Sequence, residues 1–163
     1  MNSFNKSIQR MRRFYKKGGL YVYLAKLLYR YHRIVYSCDI AYKAEIDDVY
    51  FAHWGLACCI HPNAKIGKGT RVKGGVGIGE LTGDHKAPVI GENCFIGVNA
   101  TILGDIRIGN NVTIGACALV LKDLPDNCIA AGVPAKILRY KSEWKHLAPR
   151  RRCKPTLSNF RLL

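Results

Sequence analysis

The stretch "PVIGENCFIGVNATILGDIRIGNNVTIG", Pro88–Gly115, carries a branched apolar residue at every sixth position. These residues are Ile90, Ile96, Ile102, Ile108 and Ile114. The period matches neither the 3.6-residue repeat of a helix nor the two-residue alternation of a strand. A longer fixed period indicates an internal repeat, in which each unit supplies one short strand and one turn.

The same six-residue grid extends over most of the chain. Its members are Ile60, Ile66, Val72, Ile78, Ile90, Ile96, Ile102, Ile108, Ile114 and Val120. Only position 84 departs from it, within "ELTGDHKAP". Three units that close a triangle give a coil of about 18 residues, and coils stack at the strand spacing of about 4.8 Å. The sequence therefore predicts an all-β solenoid with the grid residues stacked inside, and ten matches disfavour a chance rhythm in a β-sandwich.

The composition limits the classes of function but does not identify one. The 163 residues are 48% hydrophobic and carry a formal charge of +15, which favours nucleic acid, acidic lipid or a phosphorylated cofactor as partner. Seven cysteines, with no C-x-x-C pair, fit buried thiols better than a disulfide framework or a zinc ribbon. No apolar run approaches the roughly 20 residues that span a bilayer, and no signal-peptide core is present, so we expect a cytoplasmic protein.

Three zones follow one another along the chain. We predict a basic N-terminal helical segment over 1–36, the solenoid over 37–138, and a basic C-terminal helix or tail over 139–163. Gly18-Gly19 divides the first zone into a short basic helix and a longer amphipathic one. The apolar residues of the second helix are Leu20, Leu24, Leu27, Leu28, Tyr31, Ile34 and Val35. We expect them to pack on the domain itself or on a neighbouring subunit; peripheral contact with an anionic membrane is the alternative.

Two segments carry the repeat most clearly: "IHPNAKIGKGTRV" and "PVIGENCFIGVNATILGDIRIGNNVTIGACALVLKDLPDNCIAAGVPAKIL". They resemble the hexapeptide-repeat acyltransferases, and over about Asp39 to Leu138 the chain is most similar to the serine O-acetyltransferase branch. The resemblance implies a left-handed parallel β-helix, a homotrimer, and transfer of an acetyl group from acetyl-coenzyme A to a hydroxyl. The left hand rests on the resemblance alone, since general crossover rules favour the right hand.

In that branch, Val-Asp-Ile is followed about 15 residues later by Asp-His-Ala-Thr-Gly. Here "DI" at Asp39 and "AHWG" around His53 take those places, one residue closer together. The resemblance implies that His53 is the general base and that Asp39 orients it. A neutral imidazole can take the hydroxyl proton while a carboxylate fixes its tautomer. From the residues alone, a histidine that satisfies a corner hydrogen bond stays an alternative.

The loop "GELTGDHKAP" interrupts the grid and supplies the second group of candidates. The matching loop of the branch reads Asp-Arg-His-Pro-Lys-Ile, and its Arg and His hold the substrate carboxylate. In this chain Asp84, His85 and Lys86 precede Pro88, so the histidine is shifted and the arginine is absent or replaced by Lys86. The resemblance implies substrate binding by these three residues. His85 as an alternative base, or as a solvated loop residue, stays open.

The branch also has an acceptor-binding Asp directly before the catalytic His, and Ala52 stands there in this chain. An amino-acid acceptor needs groups for its ammonium and its carboxylate, so part of that clamp is missing. The helical region before the coils is also reduced to about 36 residues, against the longer helical domain of the bacterial branch. The acceptor is therefore serine or the hydroxyl of a sugar, for instance in a surface-polysaccharide precursor.

The donor end is the closing segment "IAAGVPAKIL" with the small residues of the last coils. The resemblance implies cofactor binding by Gly97, Ala116, Gly132, Pro134 and Lys136. Small residues let the pantetheine arm approach the backbone, whose N–H groups can bind its amides and the thioester oxyanion. A lysine suits the phosphates of the cofactor. We expect no metal.

Two other function classes remain as alternatives. A metal-dependent hydratase similar to the γ-type carbonic anhydrases would need three histidines converging between subunits, and His53, His61 and His85 fit that spacing poorly. A non-catalytic trimeric scaffold or basic binding protein is the other class. We expect no nucleic-acid partner, because the sequence contains no nucleic-acid-binding module. We interpret His61, in "IHPNAK", as a structural corner residue.

Overall fold

The computed structural model describes residues 3–141, which form two helices followed by a solenoid. The helices are α1 (Ser3–Lys17) and α2 (Tyr21–Tyr36). The strands are β1 (Asp39–Ile40), β2 (Glu45–Ile46), β3 (Tyr50–Phe51), β4 (Cys59–Ile60), β5 (Lys65–Ile66), β6 (Arg71–Val72), β7 (Gly77–Gly79), β8 (Val89–Ile90), β9 (Phe95–Ile96), β10 (Thr101–Leu103), β11 (Arg107–Ile108), β12 (Thr113–Ile114), β13 (Leu119–Val120), β14 (Cys128–Ala131) and β15 (Lys136–Tyr140).

The strands form three sheets, one for each side of a prism. Sheet I has the order β1-β4-β7-β10-β13, sheet II the order β11-β8-β5-β2, and sheet III the order β15-β14-β12-β9-β6-β3. All pairings within them are parallel except that of β14 with β15. The predicted parallel β-solenoid is confirmed, and its left hand stays a prediction. We call the turns that lead from sheet III to sheet I edge III–I, and those from sheet I to sheet II edge I–II.

The grid residues stack in register inside the prism. Ile60 lies beside Ile78, Ile78 beside Ile102, and Ile102 beside Val120 along sheet I. All ten grid residues are buried. Because burial of each such side chain contributes about 1.5–3 kcal/mol, the inward stack supplies the main stabilisation of coils whose strands are only two or three residues long.

The loop formed by residues 80–88 leaves the prism, and the six-residue spacing of the inward-facing residues resumes after it at Ile90. Ile60 pairs with Ile78, eighteen residues on, which is the predicted length of a coil. Ile66 pairs with Ile90, twenty-four residues on, because residues 80–88 form an excursion between β7 and β8. Position 84 is therefore a loop residue, and no side of the prism is missing there.

Residues at and near the corners meet two separate backbone requirements. Left-handed backbone angles occur three places after a grid residue, at Gly69, Gly75, Asn93, Asn99, Asn111 and Cys117. The glycine directly after a grid residue has a different cause. A Cβ on Gly91 would lie 2.7 Å from the carbonyl oxygen of Gly109, in the next coil. Glycine is needed there because stacked backbones approach closely.

Helix α1 closes the open end of the first coil. Its fully buried apolar residues are Phe4, Ile8 and Met11. Its polar side chains bind backbone groups that a preceding coil would otherwise satisfy: Arg12 Nε donates to the carbonyl of Ala44 at 2.9 Å, and Asn5 accepts from the N–H of Phe51 at 3.2 Å. The Gly18-Gly19 break separates the two helices, and α2 with 16 residues is longer than α1 by one residue only.

An antiparallel hairpin closes the other end. Strand β15 returns along β14, and the Ala135 N–H donates to the carbonyl of Leu119 at 2.7 Å. The strand runs to Tyr140, so the predicted domain boundary at 138 falls inside it. The remainder of the predicted C-terminal segment lies outside the described residues.

Six of the cysteines lie in the described part of the chain, and all six are free thiols. Cys38, Cys58, Cys94 and Cys128 are buried, as predicted, whereas Cys59 and Cys117 are exposed. Burial raises the pKa of Cys38 to about 11, which keeps its thiol protonated. Neither of the two helices combines the length and apolar character needed to cross a bilayer.

We predict that Gly91→Ala destabilises the solenoid by roughly 1–3 kcal/mol, because the added methyl collides with the backbone of the next coil. Gly79→Ala is the matched control, since it occupies the same place after a grid residue and its Cβ meets only Leu103 Cδ2, at 3.7 Å. Thermal unfolding followed by circular dichroism measures both. Equal stability of the two variants would contradict the close-approach explanation.

We also predict that acid destabilises the N-terminal cap through His32. The ring is buried, its Nε2 lies 2.9 Å from Ser7 Oγ, and burial lowers its pKa. As pH falls below about 6.5, the unfolded chain binds the proton before the folded chain does, so the free energy of unfolding decreases. Between about pH 8 and pH 5 the melting temperature of His32→Asn should fall less than that of the wild type. Parallel curves would show that His32 contributes nothing to the acid sensitivity.

Candidate functional site

Edge III–I brings half of the ten predicted site residues into one column. His53 lies in the turn after β3, Gly97 in the turn after β9, and Ala116 in the turn after β12. Gly132 and Pro134 lie in the turn after β14. Although β15 returns to sheet III, the turn after β14 lies beside edge III–I, because the Leu119 N–H at the start of β13 donates to the carbonyl of Gly132 at 3.0 Å. The predicted base and four predicted cofactor positions therefore lie along one edge of the prism, although they are spread over more than 80 residues of sequence.

His53 projects into solvent from a strained turn. Ala52–Gly55 forms a short 3-10 turn in which His53 and Trp54 have φ of +52° and +55°, a left-handed conformation that costs a non-glycine residue free energy. The turn packs on helix α1, because Gly55 lies against the ring of Phe4. Within residues 3–141 the exposed imidazole forms no hydrogen bond, so it is free to bind an acceptor.

Asp39 is bound by a helix residue, and its predicted role in orienting His53 stays a prediction. Its Oδ1 accepts a 2.5 Å hydrogen bond from the phenol of Tyr29 on α2, whereas no hydrogen bond joins it to His53 in the described chain. Burial and this bond to Asp39 raise the pKa of Tyr29 to about 12, so the phenol stays a donor. Sequence reasoning missed Tyr29, because nothing in a helical tyrosine indicates which strand it will meet.

A groove of about 600 Å³ opens beside His53 on the outer face of sheet III. Its lining includes Tyr50, Ala52, Arg71, Lys73 and Phe95. Register places Arg71 between Tyr50 and Phe95, and Lys73 Nζ lies 5.7 Å from the Phe95 ring centroid. Cations beside exposed aromatic rings suit an anionic ligand that carries a ring. Arg71, Lys73 and Phe95 flank grid residues of sheet III and were not among the predicted site residues. Their charge and aromatic character are the sequence signal that indicates this groove.

The predicted substrate-binding residues Asp84, His85 and Lys86 form contacts that stabilise their own loop at edge I–II. Lys86 Nζ lies 3.0 Å from Asp105, which raises the pKa of Lys86, and Asp84 accepts the Lys86 N–H at 3.2 Å. The His85 N–H donates to Glu80 at 2.8 Å, while its side chain is exposed. Of the three, His85 therefore offers the most available group for a ligand.

His53 and His85 lie on different edges of the same chain. The turn of His53 leads into sheet I, and the loop of His85 leads out of it toward sheet II. The two groups of predicted site residues therefore do not meet within one chain. A cleft that contains both requires edge I–II of one copy to face edge III–I of another.

A histidine–carboxylate cluster forms at edge I–II, where Glu80 lies 3.9 Å from His61 Nε2 and 3.5 Å from His85 Nδ1. The ligand atoms of all three residues lie within 4.8 Å of one another. However, the Asn63 N–H donates to His61 Nδ1 at 3.2 Å, so the neutral ring carries its proton on Nε2. That tautomer turns a donor rather than a lone pair toward the cluster. The arrangement favours a hydrogen-bond network over a metal site, and His53 is not part of it.

The donor-end residues form a track of small groups. Gly97 has a structural requirement of its own, because a Cβ there would lie 2.5 Å from the backbone nitrogen of Ala116. Ala116, Gly132 and Pro134 are exposed below it, and Lys136 is exposed on β15. A thin ligand could follow this track close to the backbone, with the lysine near its end.

Comparisons with known proteins agree with this geometry. Residues 87–122 match the family described as "Bacterial transferase hexapeptide (six repeats)". Serine acetyltransferase 2 of Arabidopsis thaliana is 39% identical over 67% of this chain and 34% of its own length. The putative colanic acid biosynthesis acetyltransferase WcaB of Escherichia coli K12 is 38% identical over 71% of this chain and 74% of its own.

The crystal structure of Neisseria gonorrhoeae serine acetyltransferase superposes with a TM-score of 0.76 at 30% identity. The alignment covers 85% of this chain and 53% of that one. The chain thus spans between about a third and three fifths of the length of the curated serine acetyltransferases it matches. It belongs to the hexapeptide-repeat acyltransferases, in their serine O-acetyltransferase-like branch.

Proposed function

We propose that the protein transfers an acetyl group from acetyl-coenzyme A to an acceptor hydroxyl, with His53 as general base. The carrying observation is the column along edge III–I, where an exposed histidine stands in line with Gly97, Ala116 and Gly132. The names of the relatives, serine acetyltransferase and colanic acid acetyltransferase, support the same reaction class.

The proposed reaction is a direct transfer. His53 takes the proton of the acceptor hydroxyl as its oxygen attacks the thioester carbonyl carbon. Backbone N–H groups of the edge stabilise the oxyanion, the C–S bond breaks, and the imidazolium returns its proton to the departing thiolate. Tyr29 engages Asp39 Oδ1, which leaves Oδ2 to orient the imidazolium.

The proposed assembly is a homotrimer. The family resemblance supports it, and a threefold arrangement that sets edge I–II of each copy against edge III–I of the next would bring His85, Lys86 and Asp84 to a shared cleft. We propose that these residues bind the acceptor and that the small residues of edge III–I, with Lys136, bind the cofactor. A cytoplasmic location, where acetyl-coenzyme A is made, stays part of the proposal.

We propose a sugar hydroxyl as acceptor in preference to serine. Ala52 offers no carboxylate next to His53, and the groove beside it presents Arg71 and Lys73 with Tyr50 and Phe95, so that its two cations outnumber the acidic lining residue Asp48. These groups suit a sugar attached to phosphate, such as a nucleotide- or lipid-linked precursor. The likeness to a colanic acid biosynthesis protein supports this choice, and serine is the second candidate because of the other relatives.

We predict that His53→Ala lowers kcat by about 10²–10⁴-fold while the affinity for coenzyme A changes little, because only proton transfer is lost. Thiol release from acetyl-coenzyme A measures turnover, and calorimetry measures binding. His85→Ala is the comparison variant, and we expect it to raise KM for the acceptor more than it lowers kcat. The reverse pattern would make His85 the base, and no cofactor binding by the wild type would favour the scaffold class.

A panel of serine, homoserine, nucleotide-linked sugars and lipid-linked sugars identifies the acceptor by thiol release. We predict turnover with a phosphate-bearing sugar, and a rise of roughly tenfold or more in its KM in Arg71→Gln, because a charge-assisted contact is lost. Lys122→Gln, at an exposed position outside the groove, is the matched control. Fastest turnover with serine, unaffected by Arg71→Gln, would contradict the sugar proposal.

A further inference from the structure

Helix α2 carries an apolar face that the rest of the described chain leaves uncovered. We call it the outer α2 face, and it consists of Leu20, Tyr23, Leu24, Leu27, Tyr31, Ile34 and Val35. Leu20, Leu27 and Ile34 are 78%, 64% and 80% exposed, whereas Ala25 and His32 on the opposite side of the helix are buried. Of the apolar set expected to pack on the domain itself or on a neighbouring subunit, only Leu28 is partly buried against the core of this chain, and packing on a neighbouring subunit stays a prediction.

The spacing of the face makes it continuous. Leu20, at the start of the helix, and Leu24, Leu27, Tyr31, Ile34 and Val35 follow one another at steps of three or four residues or as neighbours, so with Tyr23 they form one stripe along the 16-residue helix. The sequence pattern alone predicted an amphipathic helix. The structure adds that this apolar side faces away from the solenoid while the smaller Ala25 side faces α1.

Positive charge borders the face on one side. Lys26, Arg30 and Arg33 line a shallow groove of about 470 Å³ together with Tyr23 and Leu27 of the face itself. Within residues 3–141 none of these three cations forms an ion pair. The surrounding sequence is equally one-sided, because residues 1–38 contain nine Lys or Arg and no Asp or Glu.

We propose that the outer α2 face docks the protein on an anionic lipid surface. Its leucines and Ile34 enter the headgroup–acyl boundary, its tyrosines lie at the headgroup level, and the bordering cations meet lipid phosphates. Sixteen residues fall short of the roughly 20 that cross a bilayer, so the helix lies in the plane of the membrane.

Charge is the reason to prefer a membrane over a twofold pairing of copies through this face, while contact with another surface of a neighbouring copy would be detected by light scattering. Two copies meeting symmetrically through this face would bring the two rows of Lys26, Arg30 and Arg33 together, with no acidic side chain on either α2 to neutralise them. An anionic lipid layer satisfies both the apolar stripe and its basic border. Nucleic acid would satisfy the cations but leave seven apolar side chains uncovered.

The test measures co-sedimentation of the full chain with phosphatidylcholine vesicles, with and without phosphatidylglycerol, at low and high salt. We expect binding only to the anionic vesicles. Leu27→Ser with Ile34→Ser should weaken it by more than about tenfold, because two buried apolar side chains are lost. Leu121→Ser with Leu138→Ser, both exposed on the solenoid, is the matched control and should bind as the wild type does.

The charge half of the proposal has its own pair of variants. Lys26→Gln with Arg30→Gln should weaken binding by about 30-fold at low salt, since each cation near an anionic surface contributes about fivefold. Lys43→Gln with Lys122→Gln removes the same charge from exposed solenoid positions and should have little effect. Unaltered binding by the α2 variants, or none by the wild type, would overturn the proposal. So would a fall in the light-scattering mass of the Leu27/Ile34 variant, which would assign the face to contact between copies.

Discussion

The stacking of one coil on the next is the constraint on which every other feature of this protein depends. A strand of two residues has no independent stability, and a single coil encloses almost nothing. Only when Ile60, Ile78 and Ile102 lie in register does a continuous apolar column form. The register also fixes what faces outward, so that turns from successive coils align along an edge. The candidate active site is therefore a consequence of periodicity, since Gly97 and Ala116 share an edge because each follows a sheet III strand.

The period of six was sufficient to predict the core, the parallel solenoid and the residues that point inward. This prediction succeeded because every coil needs a branched apolar residue at the same inward-facing places, and ten residues of the sequence meet that requirement independently. The irregular parts could not be obtained in that way. The bond between Tyr29 and Asp39 joins a helix to a strand outside the repeat, and the excursion at position 84 keeps the six-residue phase while leaving the prism.

Physical cause was harder to predict than position. The position of a glycine directly after a grid residue is visible in the sequence, yet its cause at Gly91, the close approach of the next backbone, is not. The outer α2 face shows the same difficulty, because both sides of that helix are apolar enough to be buried, and periodicity does not state which side meets the protein. Likewise, His53 and His85 can be assigned to different edges only when it is known which turn joins which sheets.

The reversed direction of β15 has a consequence for how far such a molecule can grow. A parallel solenoid is open-ended in principle, because its last rung offers the same hydrogen-bonding template as every rung before it. In this chain the template on sheet III is taken by a strand running the opposite way, and the side chains of α1 take the backbone groups at the far end. Within residues 3–141, sheet III at one end and the backbone groups of Ala44 and Phe51 at the other are therefore already paired, which disfavours head-to-tail joining of copies at these points.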